Sequence, residues 1–281
     1  MFKAICLAEL YKLADEELSY RSADSISFKQ LLGLGLGEML SRQSIWKYRE
    51  IFTNSGCFDT INRRYLEELR EKGILPSKGD LMLDSSFVEA PIQRNTRFEN
   101  AVIKEGKGEA LWTDKPAKKR QKDIDASWTK KNDVSYYGYK LHALAEVVSK
   151  LIIHHETTPA HVHDSRLLEQ MLSEDDAGKR LYADAAYFGR NLTEIIKSFG
   201  MIPQVCEKGQ KNKKLDDNQK NSNRIKARTR SRIEHVFGFI ENSMTGSIIR
   251  CIGLRRASAR QALTVFLYNT ARVEQIMRLG V

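Results

Sequence analysis

Three carboxylates in this 281-residue chain stand where chemistry could use them. Asp84 closes the apolar run Leu81-Met82-Leu83, Asp184 closes Leu181-Tyr182-Ala183, and Glu234 falls in the first turns of a helical stretch that follows a run of basic residues. An Asp at the end of an interior strand is held rigidly at a sheet rim, and a helix laid across that rim can add a third carboxylate. Like charges grouped this way repel and raise one another's pKa. A divalent cation removes the repulsion, and hard oxygen donors suit Mg²⁺ or Mn²⁺. Two such ions about 3.5–4 Å apart would serve an in-line displacement at a phosphodiester. Taken singly, the two Asp residues also read as turn formers, Asp84 ahead of Ser85–Ser86 and Asp184 ahead of Ala185–Ala186.

The charge pattern supplies a context for such a site. The chain carries a net +10, yet residues 1–80 hold 12 basic and 12 acidic side chains. Residues 115–131 hold seven basic against two acidic, and residues 207–232 hold ten against three, so these two tracts exceed the whole net charge. Positive charge concentrated in two clusters is the electrostatic footprint expected for a polyanion such as nucleic acid. Two solvated loops are the plainer reading of the same composition. Lys118, Lys119 and Arg120 in the first tract, and Arg228, Arg230 and Arg232 in the second, are the candidate phosphate contacts, joined by Lys140 and His142 on one strand face. Trp112, Trp128, Tyr136 and Tyr137 flank the first tract and could stack on bases, although packing is the more ordinary role for such side chains.

A rival metal chemistry would use the histidines, since four of six fall at His154, His155, His161 and His163. His161 and His163 would share one face of an extended segment beside Asp164, as in a metal hydrolase. Cys6, Cys57, Cys206 and Cys251 form no CxxC pair, which argues against a disulfide framework or a structural zinc and for a reducing compartment. Gly33, Gly35 and Gly37 match neither a P-loop nor a dinucleotide fingerprint. No 18-residue apolar run occurs, and Glu9 interrupts the opening segment, so neither a transmembrane helix nor a signal peptide is expected and the cytoplasm is the expected location.

The elements that must position these residues follow from periodicity. Residues 1–78 read as helical: Leu7, Leu10, Ala14 and Leu18 recur at helical spacing, with a polar break expected at Arg21–Ser25. Ser44 is the expected cap of a helix carrying Ile45, Tyr48 and Phe52. Phe58, Ile61, Tyr65 and Leu69 mark another, stopped by Gly73 and Pro76. From residue 80 the pattern changes to a short strand ending near Asp84, then two strands joined at Ser149–Lys150, then a helix starting at Asp164 or Ser165. Next come a strand ending at Asp184, a helix closed by Gly200, a strand at 201–208, a helix over 232–244 and a final amphipathic helix through Leu263 and Met277. That order predicts a mixed α/β layer fold.

In order along the chain, LDSSFVEAP, YYGYKLHALAEV, HDSRLLEQML, LYADAAYFG and SRIEHVFGFIE resemble the DDE transposases of bacterial insertion sequences. The closest likeness is to the family named after insertion sequence five, within the insertion sequence four superfamily; YRSADSISFKQLLGL and SIWKYREIF resemble that family's helical segment ahead of its core. The resemblance implies a ribonuclease-H-like mixed-sheet catalytic domain over 79–281, with a basic insertion near 94–135, preceded by a helical module over 1–78 that could bind DNA ends. It implies that Asp84, Asp184 and Glu234 are catalytic ligands of two Mg²⁺ (or Mn²⁺) ions, cutting and joining strands at terminal inverted repeats. Double-stranded DNA carrying those repeats, target DNA and further copies of the chain in a synaptic complex are the implied partners, with the bacterial nucleoid as location. The superfamily signature around the Glu is Tyr, two residues, Arg, three residues, Glu, six residues, Lys. Arg230 and Glu234 fit it, whereas Ala227 and Glu241 replace the Tyr and the Lys. Family members often begin with additional residues, so a shortened, inactive DNA-binding remnant or inhibitor is the alternative reading.

Overall fold

A computed structural model of the chain describes residues 1–131, 133–209 and 214–279. Five helices lead: α1 (Phe2–Leu10), α2 (Asp15–Asp24), α3 (Ile26–Leu32), α4 (Arg42–Asn54) and α5 (Cys57–Glu71). The first two differ from the periodicity reading. The chain turns at Lys12, which has φ 53° and pairs with Glu9, and α2 then runs through Arg21–Asp24. Asp15, Glu16 and Glu17 in the first turn of α2 favour a start there, because negative charge stabilises the positive end of the helix dipole. The cap of α4 is Ser41 rather than Ser44: its hydroxyl accepts from the Ser44 amide at 3.1 Å. Helix α5 buries Phe58, Asn62, Leu66 and Leu69 along one face. Ile5 of α1 and Phe58 share a buried core with Leu263 and Leu267, so the leading helices pack against the body of the protein.

The sheet contains β1 (Leu81–Glu89), β2 (Ser127–Lys131), β3 (Val134–Glu146), β4 (Ile152–Pro159), β5 (Arg180–Ala183) and β6 (Ile202–Val205). Its order is β2-β3-β1-β5-β6, with β4 lying beside β2 on the same edge of β3. β1 is antiparallel to β3 and parallel to β5, and β5 is parallel to β6. Alternation splits the strands between two cores. Met82, Val88, Tyr139, Leu141, Ala143 and Ala145 face α11 (Arg232–Gly238) and α12 (Leu254–Leu279). Leu81, Leu83, Leu144 and Leu181 face α8 (Leu168–Met171) and α9 (Arg190–Ser198). The remaining helices are α6 (Arg97–Lys104) and α7 (Pro116–Arg120) in the insertion and α10 (Asp217–Arg230) ahead of α11. No helix is long and apolar enough to cross a membrane among the described residues.

Two further sequence readings change. β1 does not end at Asp84 but continues five residues further against β3, because β3 is long enough to pair with it as far as Gly138. Gly138 has φ 144°, and a side chain there would meet the Val88 carbonyl at 2.3 Å, so the close passage of the two strands requires glycine. Helix α10 forms from most of the second basic tract, to which periodicity assigned no element. It opens with a capping box between Asp216 and Gln219 and buries no residue. Residues 210–213 of that tract lie outside the described residues.

The insertion is fastened by one carboxylate. Asp123, 2% exposed, accepts both of its oxygens' contacts from the Tyr139 hydroxyl (2.8 and 2.7 Å) and further bonds from the amides of Asp125, Ala126 and Gly253. Asp125 in turn accepts from the Leu254 amide, at the first residue of α12. Strand β3, the insertion and α12 thus meet at a single buried anion whose charge is met by several donors. Replacing Asp123 by Ala leaves four donors, those of Tyr139 and Ala126 buried, without this acceptor. A loss of about 3 kcal/mol is expected, to be measured by urea unfolding against wild type; a loss below a third of that would remove Asp123 from this role.

Candidate active site

Asp84 and Asp184 are brought together by strand register. Leu83 pairs with Ala183 in the parallel β1–β5 ladder, and the next residue on each strand is the Asp. β5 stops there, so the rim is set by the end of β5 while β1 passes on. Each Asp also performs the turn-forming role that its neighbours suggested: Asp84 Oδ1 accepts from the Ser85 amide and Asp184 Oδ1 from the Ala186 amide, both at 2.8 Å. The other oxygen of Asp84 accepts from Arg230 Nη1 at 2.6 Å. Burial raises the Asp84 pKa, and the nearby Asp184 adds to that. The Ser85 amide, Arg230 and Lys131 oppose it without cancelling it.

Glu234 arrives on α11. Ile233, Val236 and Phe237 are buried and lay this helix across β1, which leaves Glu234 on the opposite side. Its Oε1 accepts from Arg230 Nη2 at 2.9 Å, across one helical turn. One guanidinium therefore bridges Asp84 and Glu234. Seven residues on, Glu241 lies in a π-helical turn over Phe239–Ser243 and accepts from Ser86 Oγ at 2.6 Å. Sequence reading noted Glu241 only as a departure from a signature; its place against Ser86, two residues beyond Asp84 on the same strand face, needed the tertiary structure.

The donor set suits a hard divalent cation. All three side chains offer carboxylate oxygens, two of them on adjacent strands, and one of these already draws a cation in the form of Arg230. With the guanidinium between Asp84 and Glu234, the described residues contain no group of three His, Cys, Asp or Glu side chains spaced to share one ion. An ion held by Asp84 and Glu234 together would compete with Arg230 for their oxygens.

The histidines scatter. His161 Nδ1 meets Ser127 Oγ and His163 Nδ1 meets Ser165 Oγ, each at 2.8 Å, while His155 lies 3.4 Å from Asp59 and His154 lies 3.7 Å from Glu156. These pairings separate the four residues, and the histidine metal site finds no support in the fold. Lys140 and His142 do share a strand face, as read from sequence, but they point inward. Lys140 Nζ donates to Asp164 at 2.8 Å and to the Val162 carbonyl, and His142, fully buried, meets Thr158 at 2.9 Å. Neither is placed to touch a phosphate, and that expectation is withdrawn for both. Burial pushes the His142 pKa down to about 4, against the opposing pull of Asp164, so its ring is neutral at pH 7.

Asp164, read from sequence as a helix start and as a neighbour of the histidines, does open a short 3-10 helix over Asp164–Leu167, and it is also the anion of a polar cluster that backs the site through Ser85. Burial would raise its pKa, but Lys140, the nearby His142 and the Ser85 hydroxyl outweigh burial and hold it below the usual carboxylate range. A depressed carboxylate pKa stabilises the fold above the unfolded-state pKa of about 3.9 and loses that contribution as pH falls through the folded value. Asp164→Asn is expected to cost about 2 kcal/mol at pH 7, since Lys140 stays behind unpaired. In urea titrations the gap to wild type should close below pH 4; a gap independent of pH would contradict the ion pair.

The basic candidates divide by environment. Lys118 bonds Glu99 at 3.3 Å and lies 5.1 Å from the centre of the Trp112 ring, and Lys119 pairs with Glu109 at 2.8 Å, whereas Arg120 is exposed. Arg228 is exposed on α10, and the exposed Arg232 donates to the Val147 carbonyl at 3.2 Å. The aromatic residues take packing roles: Trp112 is buried with its ring N–H on Glu99, Tyr136 stacks on Phe87 at 4.2 Å, and Trp128 leans on Tyr137.

A mixed sheet with paired carboxylates at its rim and a third on a covering helix defines a class that comparison with known proteins makes explicit. Residues 76–270 match the family described as Transposase DDE domain, and residues 1–50 match one described as Transposase domain (DUF772). The first match spans well over half of the chain, which therefore belongs to the DDE transposase family. Among curated proteins, the transposase for insertion sequence element IS1106 of Neisseria meningitidis serogroup B is 26% identical over 221 residues, covering 77% of this chain and 72% of that protein.

Proposed function

We propose that this chain is the transposase of an insertion sequence, cleaving DNA at terminal inverted repeats and joining the freed ends to target DNA. The observation that carries the reading is the Leu83–Ala183 register, which sets Asp84 beside Asp184 under the helix bearing Glu234. The sheet supports a ribonuclease-H-like core: three antiparallel strands (β4, β3, β1) followed by two strands parallel to β1.

In this proposal Asp84, Asp184 and Glu234 hold two Mg²⁺ or Mn²⁺ ions, which would activate the attacking oxygen and stabilise the leaving oxygen of an in-line displacement. Asp84 stands on β1 and Asp184 directly follows the last residue of β5, so their spacing is preset by the β1–β5 register, while Glu234 approaches from a helix end. The polar helix α10 leads directly into α11 and would hold the DNA backbone against the rim through Arg228, with Lys118, Lys119, Arg120 and Arg232 as further phosphate contacts. Residues 1–78 would recognise the element's ends, and a synaptic complex of two or more copies would pair them.

Asp184→Asn should lower metal-dependent nicking of a duplex carrying the inverted repeat by about 10³-fold, equivalent to roughly 4 kcal/mol, with the duplex still bound. Nicking that survives the substitution would overturn the site assignment. Arg228→Ala should reduce the slope of log K against log salt by about 1 without changing sequence preference, as measured by fluorescence anisotropy at several salt concentrations; an unchanged slope would take Arg228 off the DNA path.

A further inference from the structure

We propose that Arg230 is a built-in counter-ion exchanged for metal: it neutralises the carboxylate site when no ion is bound, sets how tightly an ion binds, and is released toward DNA when one does. The inference rests on the carboxylate–metal reading above and adds what that reading leaves unstated, namely what balances the charge beforehand.

Arg230 meets two of the three carboxylates at once, Asp84 at 2.6 Å and Glu234 at 2.9 Å, one through each terminal nitrogen. The side chain is one-fifth exposed and Asp84 is mostly buried, so that pair is partly shielded from water, whereas Glu234 is largely exposed. Arg230 and Lys131 are the cations that offset the effect of burial and of Asp184 on Asp84, and without Arg230 the nearer of these two charges is lost. A guanidinium keeps its proton at any ordinary pH, so the positive charge cannot be titrated away and can leave only by movement. Arg230 is the last residue of α10, and its side chain can turn without unfolding either helix.

An incoming divalent cation would take over the oxygens of Asp84 and Glu234 that now accept from Arg230. Two charge-assisted hydrogen bonds are then lost before ligation is gained, which weakens metal binding relative to a site lacking the arginine. The displaced guanidinium, next to the exposed Arg228, would be left free for a phosphate. Metal and DNA would therefore favour each other's binding, as thermodynamic linkage requires.

The test is Mn²⁺ affinity, read by electron paramagnetic resonance of the free ion, together with thermal melting of the metal-free protein. Arg230→Gln should bind Mn²⁺ about tenfold more tightly than wild type and melt at a lower temperature without metal, with saturating Mg²⁺ closing the melting gap. Arg230→Lys keeps the charge but not the two-pronged contact, and should bind Mn²⁺ a few-fold more tightly while melting close to wild type. That variant carries the test where the glutamine protein does not fold. Equal or weaker Mn²⁺ binding in the variants, with wild type binding and Asp184→Asn not, would overturn the exchange while leaving the metal site intact. Wild type binding no more Mn²⁺ than Asp184→Asn would overturn the metal reading and the exchange together.

Discussion

The repulsion between carboxylates set side by side in a half-buried rim is the constraint around which the rest of this structure is arranged. Strand register fixes Asp84 and Asp184 next to each other, and burial strengthens their mutual effect by thinning the water that would screen it. A positive charge must be near, and Arg230 supplies it from the end of α10. The helix break between α10 and α11 lets one side of the chain deliver that arginine and the next turn deliver Glu234. Everything that anchors α11, chiefly Ile233, Val236 and Phe237 in the core beneath it, serves this placement.

The support behind the rim is polar in its own right. On the sheet face away from α11, Lys140, Asp164, His142 and Thr158 form a buried cluster that touches β1 at Ser85. Two atoms in this neighbourhood, His142 Nδ1 and Tyr187 Oη, have no hydrogen-bond partner among the described residues. β1 carries Asp84 toward Arg230 on one face and Ser85 toward Asp164 on the other, so a shift by one residue would turn each of them to the wrong face, and the cluster helps to lock the register on which the site depends. Asp123 does comparable work at the far end, tying the insertion to β3 and to the start of α12.

Family membership and geometry carry different information. The family match spans the sheet and its covering helices, and geometry within that span distinguishes residues that face the rim from those that share its sequence neighbourhood. Lys140 and His142 show the difference. They are polar, close in sequence and on a strand bordering the site, yet they are buried on the opposite face from Asp84. Alternation along a strand reveals that two such residues share a face; it does not reveal which face the rim lies on.

How much was legible beforehand follows from the range of the interactions involved. Phe58 to Leu69 along α5, the strand pair joined at Ser149–Lys150 and the Asp184 turn are set by neighbours a few residues apart, and sequence spacing determined them. The basic tracts and the three carboxylates were likewise visible as composition and position. What only the tertiary structure decided depends on partners far apart in the chain. β1 runs past Asp84 because β3, more than fifty residues later, continues to pair with it. Arg230 reaches Asp84 across 146 positions, Ser86 reaches Glu241 across 155, and the histidines that sit together in sequence are drawn apart by Ser127, Asp59 and Ser165. Local spacing specifies an element and its faces, whereas the neighbour a charge finds is fixed when the layers pack, since only then is one low-energy partner within reach.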